Sequence, residues 1–253
     1  MTWQKPIRNE ADRKSTFTVP AHFTSGAAIG IITVNLDYPK LPGNVANATT
    51  FNFPVTYKKV CFEIERLFAG DPTLVDIVIK AAKELEQEGV RAIVGACGFF
   101  AHFQDAVANA VNVPVFLSSL TQLPLIKLGM GSEQKILVLA ADAPSVTNEM
   151  LAHVGTNDER LIVQNVGDRE AFAPIRWGKT TLDNQALIDD LVQLCLELKQ
   201  ENPEIGAILL ECSDLPPYAA DIQNATGLPV YDFITLINWI HAGVVQRPYY
   251  GWL

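Results

Sequence analysis

With 253 residues, 49% of them hydrophobic, the chain has material for one large α/β domain or for two lobes around a sizeable core. Its 28 acidic and 19 basic residues leave a net charge of −9 with no Lys/Arg cluster, which argues against nucleic acid and anionic membrane surfaces as partners. No apolar stretch reaches the roughly 18 residues of a membrane span, and the charged stretch TWQKPIRNEADRKSTF lacks the apolar run of a secretory signal, so a cytoplasmic protein with reduced cysteines is expected.

Residues 1–26 read as an extension whose structure the sequence leaves open. AIGIITVN (28–35) reads as the opening strand. LVDIVIKAAKELEQE (74–88) then spaces its apolar residues as a helix does, with charges between them. GVRAIVGACGFF (89–100) contains AIVGA, a β-prone run suited to a strand buried on both faces, and the run stops at Cys97. A helix is expected next, followed by the strand-like VPVF. GMG (129–131) precedes a strand instead of following one, so it reads as a helix-ending turn and not as a dinucleotide fingerprint. KILVLAAD (135–142) opens a second series, with LIDDLVQLCLELKQE (187–201) as its helix. EIGAILLECSDL (204–215) carries the apolar AILLE and stops at Cys212. A helix starting near Pro216, the strand-like LPVY and a last amphipathic helix complete the chain. Such alternation predicts an α/β protein with parallel sheets.

The two series are copies of one unit. AIVGACGFFAHFQDAVANAVNVPVF (92–116) aligns without a gap on AILLECSDLPPYAADIQNATGLPVY (207–231), and 7 of the 25 positions are identical, the cysteines among them. The helices upstream align as well, at an offset two residues shorter. Two similar lobes are therefore expected, and if they face each other across a pseudo-twofold axis the two strand ends meet at one cleft. The other two cysteines serve as a control: Cys195 falls opposite Ala82 and Cys61 has no twin, so only the strand-end pair is kept in both halves. No CxxC spacing marks a structural zinc, and no metal is expected.

In parallel α/β sheets ligands gather at the carboxyl ends of the strands. A thiol placed there before a helix is expected to have its pKa lowered towards neutrality by the helix dipole. Two such thiols facing each other across a cleft suit proton transfer at carbon, one removing an α-proton as thiolate and the other returning a proton on the far face. Backbone N–H groups beyond each cysteine would hold a carboxylate and stabilise an enolate.

Strand-end cysteines in each of two repeated α/β halves resemble the aspartate/glutamate racemase superfamily, over roughly residues 27–245. The resemblance implies cofactor-independent chemistry in the interlobe cleft with Cys97 and Cys212 as the acid/base pair. It also implies a chain that crosses over after VPVF and returns after LPVY, giving a first lobe of 27–117 plus 228–253 and a second of 118–227. The expected function is a racemase or epimerase, an isomerase acting on a small carboxylate or amino-acid-type substrate. A cis–trans isomerase or a decarboxylase on the same scaffold is the alternative, and a two-lobed binding protein without turnover a further one. Gly98, Phe99 and Ser213, the residues following the cysteines, are expected to contact substrate. Asn35 and Asp142 end the first strand of each half, where the superfamily places a polar residue, and either face the cleft or close a turn. Tyr57, in FPVTY, is a further candidate. A homo-oligomer stays open.

Overall fold

The structure is a computed structural model that describes residues 9–16, 18, 19 and 21–252. Of the extension assigned to residues 1–26, residues 1–8, 17 and 20 lie outside the described part, and the remainder holds one short helix, Glu10–Arg13.

Two four-stranded parallel sheets organise the chain. The first contains β1 (Ile29–Val34), β2 (Val55–Val60), β3 (Ala92–Gly95) and β4 (Val115–Phe116), in the order β2-β1-β3-β4. The second contains β5 (Lys135–Ala140), β6 (Leu161–Asn165), β7 (Ile205–Leu210) and β8 (Val230–Tyr231), in the matching order β6-β5-β7-β8. The sequence repeat is thus a repeat of topology, and the expected two-lobed α/β architecture is the one adopted. β2 and β6 were not expected from the pattern. Both are half-buried edge strands, so their residues mix polar and apolar types and show no continuous apolar run.

Helices pack on these sheets through the faces that their spacing predicts. Val75–Gln87 buries Val78, Ala81, Ala82 and Leu85, and Asn184–Glu201 buries Leu187, Leu191, Leu194 and Cys195. The remaining face of the first sheet, with Ile29, Ile31, Ala92 and Val94, is covered by the last helix, Phe233–Val244, through Phe233, Leu236, Ile237 and Ile240. The last helix thus packs on the first sheet. β8 pairs in parallel with β7, so residues 230–231 sit in the second sheet and the crossing follows Tyr231. No helix among the described residues is long and apolar enough to cross a membrane.

Asp232 fixes that return. Its carboxylate accepts the Thr235 N–H at 2.7 Å while the Thr235 hydroxyl accepts the Asp232 N–H at 2.9 Å, a reciprocal cap on the last helix. Asp232→Ala is expected to destabilise the fold by about 1–2 kcal/mol, read by denaturant unfolding, with Asp232→Asn recovering most of the loss. An equal loss in both variants would mean that charge, not capping, is what matters there.

Candidate active site

β3 and β7 hold equivalent positions, and each stops two residues before its thiol. The residue between stays tied to its sheet. The Ala96 N–H donates to the Ile32 carbonyl at 2.8 Å, and the Glu211 N–H donates to the Leu139 carbonyl at 2.9 Å. Both cysteines are thereby delivered by rigid strands into one cleft, whose wall also includes Tyr38, Phe99, Arg176, Glu211 and Asp214. Beyond each cysteine the backbone turns the same way. The Phe99 N–H is directed at the Cys97 sulfur and the Asp214 N–H at the Cys212 sulfur.

The expected depression of the thiol pKa does not occur. Cys97 opens a 3-10 stretch, Gly98–Phe103, and Cys212 is separated by a turn from Pro216–Tyr218 and the helix Ala219–Thr226, so neither sulfur lies on the axis of a long α-helix. Burial pushes both thiols well above their ordinary range, and the neighbouring carboxyls of Glu211 and Asp214 add to it. A thiolate therefore forms here only if a nearby base takes the proton.

Such a base is present on one side. Asp214 accepts hydrogen bonds from the Tyr38 hydroxyl and the Asn44 amide on one oxygen, and from the Cys212 thiol at 3.4 Å on the other. Burial raises the Asp214 carboxyl, which makes it a better proton acceptor than an exposed aspartate. Burial and the charge of Asp214 hold the Tyr38 hydroxyl well above its usual range, so it stays a donor. Cys97 has no side-chain acceptor among the described residues, and the two cysteines are not electrostatically equivalent.

Gly98, Phe99 and Ser213 line the cleft. The Ser213 hydroxyl is committed to the Ala96 carbonyl of the opposite lobe at 2.9 Å, so its side chain joins the lobes. Asn35, Asp142 and Tyr57 are not brought to the cleft. The Asn35 side chain accepts the Phe62 N–H at 3.1 Å, tying the end of β1 to the segment after β2, and Asp142 accepts the Ser145 hydroxyl within a local turn. Tyr57 donates to the Val45 carbonyl at 3.0 Å, with its ring in the layer beneath the last helix. Cys61 is exposed and Cys195 is a buried helix residue whose thiol burial pushes up to about 12, consistent with their reading as bystanders.

Tyr38, Arg176, Glu211 and Asp214 are the cleft residues that sequence reasoning missed. Arg176 stands at the mouth, its guanidinium 4.6 Å from the ring centres of Phe68 and Trp177 and 3.1 Å from Glu65 of the other lobe. Nothing local to it marks that position. Glu211 did carry a signal, an acid inside the buried run AILLE where the first copy has Ala96.

No protein-family model matches the chain. By sequence it is similar to the dimethylsulfoniopropionate lyase of Durusdinium sp. clade D, with 32% identity over 234 residues that span 89% of this chain and 77% of that protein. Dimethylsulfoniopropionate lyase 3 of Emiliania huxleyi (strain CCMP1516) is 30% identical over 88% of this chain, which spans only 61% of that longer relative. By fold the chain is similar to unliganded arylmalonate decarboxylase, with a TM-score of 0.57, 19% identity and coverage of 89% of this chain and 97% of the other. An aspartate racemase homologue from Pyrococcus horikoshii OT3 gives a TM-score of 0.54 and 21% identity, over 84% of this chain and 97% of that one. The superfamily resemblance read from the cysteine segments holds at the level of fold. The isomerase assignment does not, because the sequence relatives are named lyases.

Proposed function

The chain belongs to the dimethylsulfoniopropionate lyase family, and on that footing we propose that it eliminates dimethyl sulfide from dimethylsulfoniopropionate, leaving acrylate. Cys212 serves as the base that removes the proton α to the carboxylate. Its own proton passes first to Asp214, a shift from thiol to carboxylate that adds no net charge to the cleft. As the α C–H bond breaks and the S–H bond forms, the electron pair is delocalised onto the substrate carboxylate; it then becomes the Cα–Cβ double bond as the β C–S bond breaks with its pair leaving on neutral dimethyl sulfide. One proton is released to solvent per turnover. The rings of Tyr38, Phe68, Phe99 and Phe172 in the cleft wall suit the sulfonium, which aromatic faces attract. The neutral sulfide that departs loses this attraction, which favours release.

The observation that carries the assignment of the base is the Cys212–Asp214 contact, since it equips one thiol of the pair for proton removal. Incubation with dimethylsulfoniopropionate is expected to release dimethyl sulfide and acrylate in equal amounts, followed by headspace chromatography and proton NMR. Sulfide release without acrylate, or no release at all, rules the reading out.

A further inference from the structure

Glu211 stands in the cleft wall at the position that Ala96 holds in the other lobe. Its residue is completely buried. Its N–H is held by Leu139 and its carbonyl accepts the Ser119 hydroxyl at 3.2 Å, so the backbone is fixed. One carboxyl oxygen, Oε2, accepts the Ala141 N–H at 3.3 Å; the other, Oε1, has no hydrogen-bond partner among the described residues. Oε1 is directed at the turn beyond Cys97, where a Cβ placed on Gly98 would lie 1.9 Å from it. Four acidic groups act on this carboxyl or are acted on by it: Asp142, Asp214, Cys97 and Cys212. Arg176, on the same wall, acts on Cys97.

Resting on the lyase reading above, we propose that Glu211 donates a hydrogen bond from its protonated carboxyl to the carboxylate of the bound substrate. A buried O–H without an acceptor is unfavourable, and an anionic ligand supplies the acceptor. As the α-proton leaves, negative charge moves onto the substrate carboxylate oxygens, so the bond strengthens towards the transition state. An ionised Glu211 would instead repel that carboxylate and oppose thiolate formation on either side. Burial first, then the charges of Asp142 and Asp214, push the Glu211 carboxyl up to about 8, against the pull of the Ala141 N–H. The group is therefore protonated at neutral pH and loses its donor as pH rises through that value.

The test is acrylate binding to the whole protein by titration calorimetry from about pH 6 to about pH 9, in wild type, Glu211→Gln and Glu211→Ala. Wild-type affinity is expected to fall by about tenfold per pH unit above the Glu211 titration. Glu211→Gln keeps a neutral donor and should bind within a few-fold of wild type with that alkaline fall removed, and Glu211→Ala should bind about 100-fold more weakly. An unchanged alkaline fall in Glu211→Gln, or undiminished binding by Glu211→Ala, overturns the proposal. Should Glu211→Ala fail to fold, infrared difference spectra decide: the carboxylic acid band lost in Glu211→Gln must shift when acrylate binds to wild type, and a band that stays put overturns it. These readings need no turnover. If acrylate binds as described while dimethylsulfoniopropionate is not cleaved, the lyase reading fails alone; if cleavage proceeds and binding ignores Glu211, this proposal fails alone.

Discussion

Cys212→Ser is expected to lower dimethyl sulfide release by at least about 10³-fold, whereas Cys97→Ser is expected to lose only about ten- to a hundredfold, through poorer placement of the substrate. The asymmetry follows from the proposed elimination and from the geometry together. An elimination takes one proton from carbon and returns none, because the carbanion collapses by expelling the sulfide. A racemisation would need both thiols equally. Within the cleft, Cys212 has Asp214 as an acceptor at 3.4 Å, and Cys97 has no comparable side chain among the described residues. Serine preserves the shape at either site but holds its proton far more tightly than cysteine does, so the loss reports on proton removal and not on packing. Steady-state sulfide release with thermal melts of both variants makes the comparison. Equal losses would point to a symmetric two-thiol mechanism, and a larger loss at Cys97 would reverse the assignment.

Gly98→Ala should cost both stability and activity. An added Cβ would lie 1.9 Å from Glu211 Oε1, 2.3 Å from its Cδ and 2.6 Å from its backbone carbonyl oxygen. The first two contacts involve a side chain, but one buried among fixed neighbours; the third involves the end of β7. Relief therefore requires the turn beyond Cys97 to move away from the second lobe. Overpacking of this kind costs about 3 kcal/mol, at the upper end for an added methyl, which for a chain of this size lowers the melting temperature by about 6–12 °C. The same movement displaces Cys97 and the Phe99 N–H aimed at it, so turnover should fall about 100-fold. A double mutant with Glu211→Ala discriminates the causes. Removing the carboxyl should restore part of the stability lost at Gly98, while the backbone clash keeps the remainder. A fully stable single mutant would mean that the lobes separate more readily than this packing implies.

The architecture was legible because it is written twice. Burial on both faces makes β1, β3, β5 and β7 continuous apolar runs, and the helices Val75–Gln87 and Asn184–Glu201 repeat their apolar residues at helical spacing. The edge strands β2 and β6 escaped because a half-exposed strand needs no such run. At the site, placing Cys97 and Cys212 required only that a parallel strand end where its ligands gather. Asn35 and Asp142 show the limit of that reasoning. A polar residue at a strand end serves the backbone as readily as it faces a ligand: Asn35 ties β1 to the segment after β2, and Asp142 holds a local turn.

The sequence alone determined two parallel α/β lobes and a thiol at the exit of one central strand in each, since those depend on neighbours along the chain and on the match between its halves. Only the tertiary structure decided that the thiols differ. Tyr38 and Asn44 come from more than 160 residues away to hold the aspartate beside Cys212. Gly98 leaves room for the acid at Glu211, and Arg176 crosses the mouth to Glu65. The charge state of a buried acid is set by whatever surrounds it in space, and the first and last thirds of this chain meet only when the lobes close on each other.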